Sequence, residues 1–292
     1  NEVCMSPRNN KDRLGKKDAG ETPPVQSSIT TEDLLSFVVP TEMVDLPSRG
    51  QFYAEGHPLH NEESIEIRHM TAKDEDILTS KTLLKKGIAL ERVLQNIIVD
   101  KNININDLLV GDKNSIIVAS RISAYGPSYD TNITCPACFA NAEHSFDLTE
   151  MEVKEYAEEE FSELGVEKNS DGTFMILLPL TKAYVNVRLL NGHDEKKLNA
   201  RITNRNKKLG TKEETTLTDQ FKQFVVSVNG VDDKIQIGKF IDNMPANDSR
   251  WLRTAYGKLV PNIDATQDFE CPSCGFEQEM EVPFTYNFFW PK

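Results

Sequence analysis

The chain has 292 residues, enough to bury a substantial core in one large domain or two moderate ones. Hydrophobic residues make up 38% and charged residues 27%, a soluble and rather polar composition, while 33 basic against 46 acidic residues leave a formal charge of −13. That balance argues against a broad nucleic-acid surface, which needs clustered positive charge, although it leaves room for a small basic patch. No apolar run approaches the ~20 residues of a membrane span, and no signal-peptide core is present.

Residues 1–35 are polar and lack apolar periodicity, so they are expected to be disordered or ordered by a partner. Ordered structure is expected from about Ser36, and Leu46-Pro-Ser-Arg-Gly50-Gln-Phe-Tyr53 reads as a shaped loop. Ser64–Arg68 alternates like a half-buried strand, and Thr71-Ala-Lys-Asp74 is an approximate capping box opening a helix through Ser80. A second helix around Leu83–Lys86 stops at Gly87. A third, Ala89–Val99, places Leu90, Val93, Leu94, Ile97 and Ile98 on one face. Asp112 is read as the cap of a fourth helix, Lys113–Ala124. Tyr129–Thr134 and Glu143–Leu148 form a hairpin around Cys135-Pro-Ala-Cys138, and the acidic stretch 150–167 reads as a solvated helix. Thr173–Leu178 and Ala183–Arg188 form another hairpin. Helical signals follow at 194–204, 218–226, 240–244 and 249–259. A strand before and after Cys271-Pro-Ser-Cys274 repeats the first hairpin's grammar, the only internal echo visible in the sequence.

Those two Cys-x-x-Cys pairs, 132 residues apart, carry the clearest chemistry. Each reads as a knuckle aiming two thiolates at one metal, and Cys135, Cys138, Cys271 and Cys274 together would close a structural tetrahedral zinc site. Closing so long a loop costs roughly 4 kcal/mol, against about 10–16 kcal/mol from a structural zinc. Gly275 suits the left-handed position after a knuckle. Its counterpart is Phe139, for which that conformation costs roughly 1–2 kcal/mol, so the first knuckle is expected to be distorted. Cys4 is read as a bystander thiol.

A zinc deaminase fits poorly, because proline lies inside each cysteine pair rather than before it. His57, His60 and His193 read as surface or helix-start residues, and His144 as a group that supports the ligands of the first knuckle from beside it. Phosphate-loop, dinucleotide, metalloprotease and hydrolase signatures are missing, so no catalytic residue is assigned. The cluster Phe284, Tyr286, Phe288, Phe289 and Trp290 has two readings. It either completes this chain's own core or presents Phe288, Phe289 and Trp290 to a partner's pocket.

Several segments together resemble a known family. They are Leu46-Pro-Ser-Arg-Gly50 with Tyr53, Gly56-His-Pro-Leu59, Glu66–Thr79, Gly87, Val99-Asp100 and Tyr125-Gly-Pro127. Both CPxC pairs and the Phe288-Phe-Trp-Pro291 ending complete the set. In this order they resemble the baseplate hub proteins of T4-like contractile-tailed bacteriophages, over residues ~40–292. The resemblance implies a non-enzymatic role in the virion tail baseplate after assembly in the host cytoplasm. Its implied partners are other baseplate and tail-hub proteins, with self-association in a symmetric hub. It also supports Zn2+ at the four cysteines.

The expected architecture is α+β. A tail, 1–35, precedes a mainly helical unit, 36–128. A split four-cysteine zinc ribbon and aromatic end occupy 129–148 plus 268–292, and residues 149–267 form an α/β insertion lobe. The expected function is that of a structural hub component acting by protein contact. An assembly chaperone absent from the mature virion and a nucleic-acid-binding zinc ribbon are the alternatives.

Overall fold

The computed structural model describes residues 39–154, 161, 165–209, 217–284 and 286–289, without the side chains of 205–209 and 286–287. The expected tail, Cys4, half of the acidic stretch and Trp290 lie outside them. Helices and sheets are mixed, as expected of an α+β chain. The strands are β1 Thr41–Asp45, β2 Ser64–Arg68, β3 Ser128–Thr134, β4 Asn141–Asp147, β5 Glu152–Lys154 and β6 Val166–Lys168. They continue with β7 Phe174–Leu177, β8 Tyr184–Val187, β9 Val225–Val228, β10 Asn262–Asp264, β11 Thr266–Glu270 and β12 Glu277–Glu281. The helices are α1 Ala72–Thr79, α2 Lys81–Lys86, α3 Ala89–Ile97, α4 Val110–Tyr125, α5 Gly192–Leu209, α6 Leu217–Phe224, α7 Lys234–Asp242 and α8 Ala246–Leu259.

Most elements fall where periodicity placed them. Gly87 stops α2 in the left-handed conformation at φ +68°. Three expectations change. Both described ends of the acidic stretch are strands, β5 and β6, because the former pairs with β10 and the latter with β7. Residues 225–228 leave the helical pattern to pair with β8, where Val225 and Val228 bury their side chains. Asp112 does not cap α4. It lies inside the first turn, fully buried.

The described residues also repeat one plan twice, more extensively than the knuckles alone disclosed. In the first copy β1 runs into Leu46-Pro47 and pairs antiparallel with β2; in the second, β7 runs into Leu178-Pro179 and pairs antiparallel with β8. Each second strand leads to an arginine, followed six residues later by an aspartate in a helix's first turn. Arg68 reaches Asp74 at 2.7 and 3.1 Å, and Arg188 reaches Asp194 at 2.7 and 2.8 Å. Both aspartates also accept a backbone N–H three residues upstream, from Thr71 at 2.9 Å and Asn191 at 3.2 Å. Further along, the chain returns to pair with that strand, at Ile98 with Ile67 and through β9 with β8. A long helix follows, α4 or α8, and a cysteine hairpin ends the unit.

The third residue of each long helix is a buried aspartate clasping the turn after Leu-Pro. Asp112 accepts Ser48 N–H at 2.9 Å and Asp248 accepts Leu180 N–H at 2.7 Å. Asp112 further accepts the hydroxyls of Ser48 and Tyr53, each at 2.6 Å, whereas Asp248 takes Thr181 N–H at 2.9 Å. Spacing in sequence differs between the copies, which hides the repeat from any search for a fixed period.

Apolar burial forms two clusters. One unites β1, β2, α3, α4 and both cysteine hairpins, including Cys135, Cys271, Phe288 and Phe289. The other fills the space between the β6–β9 sheet and helices α6, α7 and α8. Phe52 and Leu189 pack against both. Gly111 marks the tightest helix contact, since a Cβ there would sit 1.9 Å from the Pro261 carbonyl oxygen. No helix among the described residues is long and apolar enough to cross a membrane.

Candidate metal centre

Each cysteine pair occupies the turn of an antiparallel hairpin, β3–β4 or β11–β12. The turns share one hydrogen-bond pattern. Cys135 N–H donates to Ala140 O and Phe139 N–H to Cys135 O, both at 2.9 Å; Cys271 N–H to Phe276 O and Gly275 N–H to Cys271 O repeat those distances. Phe139 adopts φ +59° and Gly275 φ +67°. The expected distortion of the first knuckle is therefore not found: the turn keeps its shape and Phe139 accepts the left-handed conformation. Its ring gains little burial in return, being 78% exposed.

The hairpins bring all four Sγ atoms within 4.8 Å of one another. Contacts cross between hairpins in a reciprocal pattern, Cys135 to Cys274 and Cys138 to Cys271, each at 3.8 Å. The first cysteine of each pair thus meets the second cysteine of the other. A tetrahedral ion with ~2.3 Å metal–sulfur bonds separates its sulfurs by ~3.8 Å. The donor set thus fits a closed metal site, and the separations are far from the ~2.05 Å of a disulfide. Cys135 and Cys271 are buried while Cys138 and Cys274 face solvent.

The thiols act on one another. Backbone N–H groups of Ser273 and Cys274 hold Cys271 down to about 7. At Cys274 the backbone N–H of Phe276 pulls downward, but the neighbouring thiols and burial push it up to about 12. Four thiolates this close would repel one another, and a bound cation is the charge that would relieve it.

The histidines stand outside this set. His144 packs its ring on Phe146 at 4.5 Å and, across the hairpins, on Phe269 at 5.3 Å. His57 stacks on Tyr53 at 4.6 Å, His60 Nδ1 lies 2.7 Å from Tyr53 O, and His193 pairs with Asp107 at 2.8 Å. Phe288 and Phe289 are packed into this chain's own core beside the metal hairpins, at 2% and 5% exposure. Both rings belong to the cluster that also holds Cys135 and Cys271.

One structural residue carried no signal in the sequence. Arg121, 1% exposed, points its guanidinium at three carbonyl oxygens, Phe288 and Gly126 at 2.7 Å and Ser128 at 2.9 Å. Burial lowers its pKa, and no carboxylate among the described residues is hydrogen-bonded to it, so the carbonyl dipoles hold the charge. An arginine at one position of a helix looks like a surface residue until its neighbours are known.

The exposed face of β11–β12 opposes like charges. Asp268 sits across from Glu279, and Glu270 from Glu277. Directly opposed like charges destabilise a hairpin and make this face repel polyanions.

No curated protein and no solved structure matches the chain. A family model described as T4 bacteriophage base plate protein matches residues 40–290, covering both copies of the repeated plan and the whole sulfur cluster. The chain belongs to that T4 bacteriophage base plate protein family.

Proposed function

We propose that this protein is a structural zinc-binding component of the baseplate hub of a contractile-tailed bacteriophage. It acts by contact with other tail proteins and catalyses no reaction. The observation that carries this reading is the closed four-sulfur cluster, built by two distant hairpins in a chain of the base plate family. All four coordination positions are filled by protein thiolates, so bound zinc supplies a tetrahedral cross-link and leaves no position for a substrate. Cys135 and Cys138 come from one copy of the repeated plan and Cys271 and Cys274 from the other; their ligation fixes the two copies together. The opposed acids on β11–β12 favour protein contact over the nucleic-acid-binding ribbon.

Cys271→Ser tests the reading through metal content of the purified protein and its incorporation into tails. One zinc per wild-type chain, lost from the variant together with its incorporation, is the expected result. Normal folding and normal tail assembly by a metal-free variant would sink the proposal. Mass spectrometry of mature virions separates a lasting component, which is expected there in several copies, from an assembly factor, which is missing.

A further inference from the structure

In a chain with formal charge −13, one cleft of about 500 Å3 is lined with cations. It lies in the second copy of the repeated plan, away from the cysteines. Its walls come from the end of β8, from α5, α6, β9 and the start of α7. Five cations line it, Arg188, Lys197, Arg201, Lys222 and Lys234, against two carboxylates, Asp194 and Asp232. Two cations are already engaged: Arg188 with Asp194, and Lys222 with Asp242 at 2.5 Å. Lys197 lies 3.8 Å from the engaged Asp194 and keeps 65% of its side chain exposed. Arg201 and Lys234 have no ion-pair partner among the described residues, and both are exposed. Lys197 and Arg201 stand four residues apart on α5, which puts them on one helix face.

A second observation points into the same space. Gln223 lines the cleft, is only 9% exposed, and its buried Nε2 has no hydrogen-bond partner among the described residues. A buried unpartnered amide costs about 1–3 kcal/mol, so such groups are normally satisfied. Here the missing partner is an acceptor, of the same sign that the free cations select.

We propose that this cleft docks an acidic, aliphatic segment of a partner protein, with a carboxylate or carbonyl oxygen received by Gln223 Nε2 and further carboxylates by Arg201, Lys197 and Lys234. A protein segment is favoured over a phosphate group by two features. The backbone N–H groups that open α7 beside the cleft are taken by Asp233, which accepts from Ile235 at 3.0 Å and Gln236 at 2.8 Å. The N–H cradle of a phosphate site is therefore closed. Val225, Val226 and Ile237 give the walls an apolar share suited to aliphatic side chains. Val226 is 37% exposed on β9, which stands at the edge of its sheet. The inference deepens the protein-contact reading above but does not depend on the metal.

The test uses the full metal-loaded chain and a fluorescent peptide alternating glutamate with leucine, its glutamine-for-glutamate counterpart, and inorganic phosphate as competitor. Saturable binding of the acidic peptide alone is expected, weakened about tenfold or more by Arg201→Glu with Lys234→Glu. Gln223→Leu should weaken it too, while metal content and thermal midpoint stay unchanged in the charge-reversed variant, whose altered residues are exposed. Equal binding of both peptides, or undiminished binding by the charge-reversed variant, overturns the proposal. So does displacement of the peptide by millimolar phosphate. Self-association of the wild type that charge reversal abolishes would assign the cleft to a second copy and overturn it as well. Metal loss in Cys271→Ser with peptide binding intact would leave this inference standing apart from the metal reading.

Discussion

Arg121 donates its Nε hydrogen to the carbonyl oxygen of Phe288 at 2.7 Å, joining residues 167 positions apart. The guanidinium also lies 5.9 Å from the Phe288 ring centroid, and that ring meets Tyr129 edge-on at 5.0 Å. One buried cation thus ties the end of α4, the start of β3 and the aromatic segment into the metal-proximal core.

Arg121→Met should remove all three carbonyl contacts and cost about 3 kcal/mol in a urea unfolding experiment. Arg121→Lys should lose most of the same stability, because one ammonium cannot match three separated acceptors. Limited proteolysis should then cut within 284–289 before any other described segment. Unchanged unfolding midpoints would show that the burial of Phe288 and Phe289 alone holds this end.

If the cluster holds zinc as proposed, chelating the metal should lower the thermal midpoint and loosen both hairpins together, since each contributes two of the four cysteines. Thiols must lose protons to ligate, so acid competes with the metal and apparent affinity falls as pH falls. Following zinc release with a chromogenic chelator at pH 8, 7 and 6 should show increasing loss. A pH-independent release curve would argue against thiolate ligation.

Phe139→Gly should stabilise the metal-loaded protein by about 1 kcal/mol, because glycine adopts φ +59° without the clash a β-carbon meets. Thermal melting of the pair of proteins measures this. Since the ring is 78% exposed, little packing is lost. A lower midpoint would mean that the phenyl ring makes stabilising contacts in solution.

The two buried clasps should respond to pH in opposite directions. Burial raises Asp112 above 3.8, its hydrogen bonds from Ser48 and Tyr53 notwithstanding. For a carboxyl raised on folding, the stabilising contribution is full below 3.8 and declines as pH rises toward the folded value. At Asp248 burial also acts upward, but Thr181 and the Leu180 N–H outweigh it and the net shift is downward. Its contribution is present above 3.8 and lost as pH falls through the folded value. Asp112→Asn should therefore flatten the decline above 3.8, whereas Asp248→Asn should remove stability at neutral pH and little in acid. Urea midpoints between pH 3 and 7 for both variants check the signs.

Local pattern carried much of this fold. Alternation placed β2, and the apolar stripe placed α3, because period and burial coincide in half-buried elements. Where the structure replaced an expected helix by a strand, at the start of β9 and at β5, a partner strand distant in sequence supplied the hydrogen bonds. The basic cleft was equally hidden, since its cations come from separated helices and turns in a chain of opposite net charge.

Of the site itself, the sequence by itself determined the four clustered cysteines and their pairing into knuckles, because a Cys-x-x-Cys turn is a local device whose geometry follows from a few adjacent residues. It also disclosed the aromatic end. Only the tertiary structure decided that the two knuckles meet with crossed 3.8 Å sulfur contacts, and that Phe139 takes the glycine conformation. It alone turned Phe288 and Phe289 inward under Arg121 and disclosed the twofold plan behind the knuckles. The crossed sulfur contacts and the Arg121–Phe288 bond join residues more than a hundred positions apart, and such contacts are set by the packing of whole elements rather than by any local pattern.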